Sequence, residues 1–448
     1  MEKNHFDVLI VGGGISGAAL LYELATYTDL KRIGLVEKYD RLASLNTAAT
    51  SNSQTIHCGD IETNYTLDKA RNTKRSAGMV VQYCLKHKYQ DKFMLSHQKM
   101  ALGIGDQEVD FLQRRHAEFT TLFPYLEVFD KKKLKEIEPA VVLDKDGRER
   151  PENIIGVGAR GQYTTVDYGE MARSLVANAQ AHPGIETEVL LNAKVTGLEK
   201  RGKVFHVTTP QGTYTADFVV VNAGAHSLFL AHRMGYGLDY GCLPVAGSFY
   251  LTTRKILNGK VYMVQNPKLP FAALHGDPDV VKGGITRLGP TALLMPKLER
   301  YTGQGGFFEF ARTLRMDGAV AKTLLDLFAD AEIRNYILRN FIFEIPWFNR
   351  RLFLRDAQKL IPSLALADLE YAKGFGGIRP QIIDKKARKL MLGEASIDTR
   401  EGIIFNMTPS PGATSGLGNA ERDVRRIAQH LGCRFDEQLF NQELVIQD

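Results

Sequence analysis

Residues 6–27, FDVLIVGGGISGAALLYELATY, decide the fold of this chain. A run of apolar, β-favouring residues leads into a G-x-G-x-x-G pattern, with Gly12, Gly14 and Gly17 at the key positions, and a helical pattern follows. Gly12 permits a tight turn, Gly14 lets the backbone approach a pyrophosphate, and Gly17 lets helix and strand pack closely. The stretch therefore predicts the first strand, turn and helix of a dinucleotide-binding unit.

A second strand completes this unit. Residues 32–37, RIGLVE, form another apolar run, and Glu37 at its end lies twenty residues beyond Gly17. A carboxylate at that point can accept hydrogen bonds from an adenosine ribose. With Ser16 inside the turn as a further contact, these features favour a bound dinucleotide over a tight turn without a ligand.

Composition excludes several other classes of protein. The chain has 448 residues, of which 44% are apolar and 24% charged, as is usual for a globular protein of two or three domains. Its four cysteines form no CxxC pair, so neither a metal site nor a disulfide framework is indicated. The net charge of +6 is spread along the chain, which argues against nucleic acid as a partner. Because no apolar run reaches about 18 residues, we expect a protein in the cytoplasm or on a membrane surface.

The later pattern suggests an α/β chain with an interrupted cofactor domain. Residues 189–221 predict a three-stranded meander that returns to a parallel sheet, 240–300 are strand-like, 305–360 are mostly helical, and 370–407 resume strands. This order predicts two domains. We assign residues 1–80, 150–238 and 360–448 to a discontinuous Rossmann-like domain, and residues 81–149 and 239–359 to an inserted mixed-sheet domain that binds substrate and faces a membrane.

Distant segments favour FAD over NAD as the cofactor. A flavin stays bound through a long cycle, so its ring system needs contacts from several parts of the chain. Residues 46–60, 221–227 and the glycine-rich stretch 408–423, TPSPGATSGLGNAERD, can supply them. A helix starting near 412–416 would direct its N–H groups at the pyrimidine edge of the flavin. The predicted contacts are Asn52, Ser53, Gln54, Val195, Ala223, Gly224, Pro411, Gly412, Ala413 and Thr414.

The chain resembles the malate:quinone oxidoreductases, in particular their short bacterial form, over nearly its whole length. The resemblance rests on the glycine fingerprint with Glu37 and on five more specific stretches. These are NSQTIHCGDIETNYT (52–66), CLPVAGSFY (242–250), NPKLPFAALHGDPD (266–279), GPTAL (289–293) and NMTPSPGATS (406–415).

The resemblance implies an FAD enzyme with a cofactor domain of the glutathione reductase or D-amino acid oxidase type. It would oxidise (S)-malate to oxaloacetate and pass the electrons to a membrane quinone, with no role for NAD. Such an enzyme would lie peripherally on the cytoplasmic face of the inner membrane. L-2-hydroxyglutarate dehydrogenase is similar around Asn52-Ser53, Ile56-His57, His275, 288–290 and 409–411, and is the main alternative. An amino-acid oxidase and a flavin-binding scaffold are two further ones.

Within these motifs, two histidines and two arginines are the candidates for chemistry. Oxidation of a 2-hydroxy acid needs a base for the hydroxyl proton, and a histidine near its ordinary pKa of about 6.5 suits that task. We prefer His275 as base and His57 as a polarising contact, although the motifs allow the reverse. Arginine holds carboxylates through its planar fork, so Arg379 and Arg287 are expected to bind the substrate. Further predicted substrate contacts are Gln54, Thr286, Gln381 and Tyr163.

A quinone acceptor requires contact with the bilayer. Residues 340–355, NFIFEIPWFNRRLFLR, combine aromatic residues, among them Trp347, with three arginines, Arg350, Arg351 and Arg355. Such a stretch can dock at a membrane interface, and it can equally pack between domains.

Overall fold

The computed structural model describes residues 4–266, 273–301, 306–343, 348–391, 394–408 and 411–446. These residues form twelve α-helices. They are α1 (Ile15–Tyr27), α2 (Leu67–Lys86), α3 (Asp106–Phe119), α4 (Lys131–Ile137), α5 (Tyr168–Gln180), α6 (His226–Arg233), α7 (Gly306–Leu314), α8 (Gly318–Ala329), α9 (Ala331–Ile342), α10 (Asn349–Leu360), α11 (Gly416–Leu431) and α12 (Glu437–Leu444).

The same residues form twenty-two strands in four sheets. The first eleven are β1 (His5–Val11), β2 (Arg32–Val36), β3 (Met94–Ser96), β4 (Lys99–Ile104), β5 (Glu127–Phe129), β6 (Ile154–Ala159), β7 (Tyr163–Val166), β8 (Glu186–Leu190), β9 (Gly197–Arg201), β10 (Val204–Thr209) and β11 (Gly212–Val221). The others are β12 (Tyr240–Ala246), β13 (Tyr250–Thr252), β14 (Lys260–Met263), β15 (His275–Pro278), β16 (Thr286–Gly289), β17 (Leu293–Leu294), β18 (Leu369–Tyr371), β19 (Ile378–Asp384), β20 (Lys389–Met391), β21 (Ala395–Asp398) and β22 (Ile403–Met407).

The first sheet contains the predicted βαβ unit. Its order is β21-β22-β11-β1-β2-β8, and β1 runs parallel to β2 and to β11. The predicted meander is confirmed, because β9, β10 and β11 pair antiparallel in sequence before β11 returns beside β1. Helix α1 packs against both α5 and α11, and its buried apolar residues form the core on that side of the sheet. The carboxyl ends of β1 and β11 thus open toward one edge, where the glycine turn lies.

The second large sheet and a smaller one carry the rest of the strands, apart from the pair β3 and β7. The large sheet has the order β18-β13-β16-β15-β14-β4-β6-β5, and the four-stranded sheet has the order β17-β12-β19-β20. Strands β6 and β18–β20 therefore pair outside the first sheet, although our domain division assigned 150–238 and 360–448 to the cofactor domain. The division stays a prediction, and these pairings favour moving the segments of β6 and β18–β20 into the second domain.

Helices cover one face of the four-stranded sheet. Leu314 at the end of α7 and Val320 of α8 pack on Leu243 and Ile383 of that sheet, while α9 packs beside α8 and on β17. The described part of the predicted membrane segment 340–355 falls on the end of α9 and on α10; residues 344–347, including Trp347, lie outside the described residues. Among the helices of the described segments, none combines the length and apolarity needed to cross a bilayer.

A very close backbone contact lies in the glycine turn, and it makes a testable prediction. A Cβ atom on Gly17 would stand 1.9 Å from the carbonyl oxygen of Gly12. We expect Gly17→Ala to destabilise the protein by about 1–3 kcal/mol or more, because backbone rather than a flexible side chain must move. The apparent melting temperature, followed by circular dichroism, should fall clearly.

Gly318→Ala is the matched control, since nothing lies within 4 Å of a Cβ built at this first residue of α8. Equal melting temperatures for the two variants would contradict the close-packing role of Gly17.

Candidate active site

The first cavity, of about 360 Å³, lies along the edge of the first sheet at the glycine turn. Many of the predicted cofactor contacts line it. They are Gly12, Gly14, Ser16, Glu37, Val195, Ala223, Gly224, Gly412 and Ala413. These residues come from both ends of the chain and from its middle, as expected for a long dinucleotide.

The glycine turn is shaped for close approach by a ligand. Gly12 has a φ of 112°, and a Cβ there would lie 2.4 Å from the carbonyl oxygen of Asn222. Helix α1 begins after Gly14; Ile15 N donates to the Thr47 hydroxyl at 3.0 Å, and the following N–H groups of the first turn have no side-chain cap from Gly14 and can face an anion. Glu37 accepts a 2.7 Å hydrogen bond from Gly13 N and lines the cavity. A cavity that has apolar side chains in its wall, the N-terminus of a helix and an acidic residue fits the diphosphate and ribose of FAD.

A second cavity, of about 120 Å³, adjoins the first. Gly412 and Ala413 of the C-terminal glycine-rich stretch line both cavities, as do Gly377, just before β19, and Pro380 within that strand. The predicted residues that line the second cavity are Asn52, Ser53, His57, His275, Arg379, Pro411, Gly412, Ala413 and Thr414. Both candidate histidines and one candidate arginine are therefore gathered where the cofactor cavity ends.

His57 is held by a carboxylate. Its Nδ1 lies 2.6 Å from Oε1 of Glu62, and because a carboxylate accepts, Nδ1 carries the hydrogen. The opposite nitrogen, Nε2, is 3.2 Å from the hydroxyl of Ser53, which lines the second cavity. Burial raises the pKa of Glu62, but the hydrogen bond from His57 and the positive charges of protonated His57 and of Lys99 outweigh it and lower that pKa to about 2. Glu62 is therefore ionised at neutral pH, and in the neutral form of His57 it keeps the ring hydrogen on Nδ1, so that Nε2 is the acceptor.

His275 has a different environment. Its Nδ1 lies 3.1 Å from the carbonyl oxygen of Ala273, while Nε2 is buried and has no hydrogen-bond partner among the described residues. Oδ2 of Asp277 lies 3.6 Å from Nε2. Burial lowers the pKa of His275 well below its ordinary value, so the ring is neutral. Tyr262 stacks on His275 at 4.2 Å and meets the His57 ring edge-on at 6.0 Å, which separates the two histidines.

Arg379 and Arg287 differ in their charge partners. Within the described part of the chain, the side chain of Arg379 has neither an ion pair nor a hydrogen bond, and it lines the second cavity. Burial lowers the pKa of Arg379, and the neighbouring phenol groups of Tyr336, Tyr262 and Tyr65 partly oppose that shift. An unpaired guanidinium in a cavity wall is a receptor for an anion.

Arg287, by contrast, is neutralised by the chain itself. The Arg287 side chain is fully buried and lines neither cavity. Its guanidinium group lies 2.8 Å from Asp277 and 3.2 Å from Asp279, and it donates a hydrogen bond to the carbonyl oxygen of Ala49. Lys260 joins this cluster 3.9 Å from Asp277, donates to the carbonyl oxygen of Ser53, and has its pKa lowered to about 8 by burial. The structure thus does not bring Arg287 to the substrate cavity, because two aspartates already occupy its fork.

Four other predicted contacts also lie away from the cavities. Gln54 is buried and bonded to Ala49, Asp279 and Val280, which ties the Arg287 cluster to the loop before His57. Thr286 accepts from the backbone N–H groups of Ile256 and Leu257. Gln381 is buried two residues beyond Arg379, with Oε1 unpartnered among the described residues. Tyr163 begins β7 and packs on the core of the first sheet.

The C-terminal glycine-rich stretch reaches both cavities ahead of its helix. Helix α11 begins at Gly416 after Ser415, with no side-chain cap, and residues 411–415 form a turn before it. Thr414 bonds to the hydroxyl of Tyr168 at 2.7 Å and accepts from His57 N at 3.2 Å. The stretch therefore lies where the two cavities meet and contacts the backbone of His57.

Sequence reasoning missed the residues that support His57. Glu62 stands five residues after His57 in the same motif, a spacing that gives no helical or strand signal. Lys99 and Asp60 form a wholly buried ion pair of 2.7 Å, and Lys99 also donates to the carbonyl oxygen of Ile56. His226, which lines the first cavity and bonds to Glu309 at 3.0 Å, was also overlooked within its VNAGAHS stretch. No cluster of three or more metal-ligating side chains occurs in the described ranges.

Comparison with known proteins gives one family and several full-length relatives. Residues 7–422 match the family described as FAD dependent oxidoreductase. A protein of Campylobacter jejuni described as a probable malate:quinone oxidoreductase is 56% identical over 99% of this chain and 100% of its own length. The malate:quinone oxidoreductase of Helicobacter pylori is 50% identical over 98% of both chains.

More distant proteins share the fold. The human mitochondrial L-2-hydroxyglutarate dehydrogenase is 26% identical over 93% of this chain and 87% of its own. The structure of L-alpha-glycerophosphate oxidase from Mycoplasma pneumoniae with FAD bound aligns with a TM-score of 0.64 at 21% identity, over 95% of each chain. The predicted mixed α/β fold of an FAD-binding oxidoreductase is confirmed by this likeness and by the family match.

Proposed function

We propose, from the premise that this chain belongs to the malate:quinone oxidoreductases within the FAD-dependent oxidoreductases, that it oxidises (S)-malate to oxaloacetate and reduces a quinone. FAD is its cofactor, and the cradle at the glycine turn fits it. When bound, FAD supplies the acceptor for the hydride that leaves the malate carbon. The chain itself must bind the dicarboxylate, take the hydroxyl proton and exclude water.

The unpaired guanidinium of Arg379 is the observation that carries this proposal. Malate brings two carboxylates, and a partly buried cation without a partner among the described residues gains most from such an anion. Arg379 also lies in the wall of the cavity that His57 lines. We assign Arg379 the role of holding one malate carboxylate, so that the hydroxyl group faces the histidine.

For the base we reverse the preference drawn from the sequence and assign His57. Glu62 holds its Nδ1 hydrogen, so Nε2 presents a lone pair toward Ser53 and the cavity. The Glu62 carboxylate stabilises the imidazolium that forms when Nε2 takes the malate hydroxyl proton. His275 has its Nε2 buried near Asp277 and no carboxylate on its Nδ1. We assign His275 the role of a neutral contact in the cavity wall.

The acceptor defines where the enzyme works. A long-chain quinone is lipid-soluble, so the reduced enzyme must meet it at a bilayer. We propose peripheral contact with the cytoplasmic face of the inner membrane, without a spanning segment in the described residues. The weak net charge of +6 is compatible with an anionic membrane surface.

Anaerobic addition of malate to the purified, FAD-loaded protein tests the function. We expect the flavin absorbance to bleach with malate and to return with a soluble quinone analogue, with no response to NAD. L-2-Hydroxyglutarate at the same concentration should bleach it more slowly. The proposal fails if malate leaves the spectrum unchanged or if 2-hydroxyglutarate acts faster.

Substitution of Arg379 tests carboxylate binding. Arg379→Gln should raise the KM for malate about tenfold to a hundredfold, because a hydrogen bond to a charged group is worth roughly 1.5–3 kcal/mol. Arg379→Lys keeps the charge without the fork and should give an intermediate KM. Arg114→Gln, at an exposed position of α3, is the control and should leave KM unchanged. A KM for Arg379→Gln equal to that of the unmodified enzyme would remove Arg379 from the site.

Substitution of Glu62 tests the contact between Glu62 and His57. Glu62→Gln keeps the shape but loses the charge that stabilises the imidazolium, so the rate of flavin reduction by malate should fall about 10–100-fold. The KM should change little, since Glu62 does not line the cavity. Stopped-flow measurement of flavin bleaching gives the rate, with Glu118→Gln, exposed on α3, as the control. An unchanged rate would contradict the role of His57 as base.

A further inference from the structure

The helices α7 to α9 and the start of α10 expose an unusual amount of apolar surface. Nine of the seventeen large apolar side chains that are exposed among the described residues lie between positions 307 and 348. We call these nine the docking face: Phe307, Phe308, Met316, Leu325, Phe328, Leu338, Phe341, Ile342 and Phe348. Phe308 and Leu325 are 72% and 70% exposed, so this is not a row of half-covered core residues.

Helical spacing gathers these side chains on common stripes. Leu338, Phe341 and Ile342 stand at positions i, i+3 and i+4 of α9, and Leu325 and Phe328 stand three apart on α8. Since α8 packs on α9, the two stripes belong to neighbouring helices. Other positions of the same helices make the core contacts, with Val320 and Ile337 buried. Exposed apolar side chains gathered on neighbouring helices in this way mark an interaction site.

The charges of the same segment favour an anionic partner. Arg312, Lys322, Arg351 and Arg355 have no ion pair or side-chain hydrogen bond within the described residues. The acidic side chains are mostly engaged within the chain. Asp317 caps α8 and pairs with Lys385, and Asp330 caps α9. Glu309 bonds to His226, and Glu332 bonds to Asn266. Of the described acidic residues between 306 and 343, Asp326 alone lacks a partner.

The helices of the docking face pack on the four-stranded sheet that carries Arg379. Tyr336 of α9 lies close enough to Arg379 to affect its pKa, and Asn340 accepts a hydrogen bond from Ala292 N at 2.8 Å. Ile383, on the same side of β19 as Arg379, packs under α7 and α8. One side of this layer therefore packs on the sheet that carries Arg379, while the other side exposes apolar side chains.

We propose that the docking face seats the enzyme on an anionic phospholipid bilayer, with the aromatic and aliphatic side chains in the interface and the unpaired cations on the headgroups. This inference rests on the proposed function, since a lipid-soluble quinone must reach the enzyme from the bilayer. It extends the membrane contact from the predicted segment 340–355, which contributes Phe341, Ile342 and Phe348, to α7, α8 and the rest of α9. Phe343 and Phe353 of the earlier segment are buried in the core of the second large sheet instead.

Co-sedimentation of the full-length, FAD-loaded protein with vesicles tests the docking face. The unmodified protein should pellet with phosphatidylglycerol-containing vesicles, less with pure phosphatidylcholine vesicles, and less at high salt. The variant Phe308→Ser/Leu338→Ser/Phe341→Ser should lose at least about tenfold in partition to anionic vesicles. The matched control is Val128→Ser/Leu238→Ser/Val281→Ser, three exposed apolar residues elsewhere, which should pellet like the unmodified protein.

A variant that lacks two of the unpaired arginines and a comparison of two quinone acceptors complete the test. Arg351→Gln/Arg355→Gln should weaken binding to anionic vesicles and reduce its salt dependence. All variants should reduce a soluble quinone analogue with malate at the same rate, whereas the triple docking variant should reduce a long-chain quinone embedded in vesicles at least about tenfold more slowly.

Three results would overturn the docking face. The triple variant pellets like the unmodified protein, or the unmodified protein binds neutral and anionic vesicles equally. In the third result, the triple variant loses self-association but keeps its binding to vesicles. Failure of the proposed function gives a different result. In that case the unmodified protein fails to reduce the soluble analogue with malate, while the vesicle measurements still report on the docking face by themselves.

Discussion

The buried ion pair between Lys99 and Asp60 is the interaction on which the active site depends. Lys99 belongs to β4 of the second large sheet, and it binds both the Asp60 carboxylate and the carbonyl oxygen of Ile56. These two points lie on either side of His57, so a single ammonium group fixes the loop that carries the histidine. Both charges are wholly buried, and removing one would leave the other unpaired in the interior. The loop from the cofactor side is thereby locked onto the substrate side before any ligand binds.

Neutralisation of charge distinguishes the residues that shape the site from those that can bind substrate. Arg287 and Lys260 lie beside Asp277 and Asp279 in a buried cluster, and Gln54 connects that cluster to the backbone of the His57 loop. Arg379 has no such partner among the described residues and lines the cavity. Burying a guanidinium group without a counter-charge costs free energy. At Arg379, a bound substrate anion can supply that counter-charge. The two arginines look alike in the sequence and differ only in what surrounds them.

The sequence predicted the elements whose signals are local. The glycine turn, the strands β1 and β2, the meander of β9 to β11 and the helical region after residue 305 follow from apolar periodicity and from Gly, Asn and Asp positions. Motif resemblance also selected His57, His275 and Arg379, which the fold brings to one cavity. It could not separate their roles, and it placed Arg287, Gln54 and Tyr163 at the substrate because a motif records which residues recur and not which way they face. Glu62 was missed because its contact with His57 depends on the path of an irregular loop.

By itself, therefore, the sequence determined the class of fold, the cofactor and the family, since each rests on residue types at fixed spacings along the chain. Only the tertiary structure decided which histidine has a carboxylate behind it, which arginine is unpaired, and which apolar side chains remain outside the core. Those properties depend on partners that are distant in the chain, such as Asp277 for Arg287 and Lys99 for Asp60. The energy of a charge or an apolar group is set by its surroundings in space, and no local pattern encodes those surroundings.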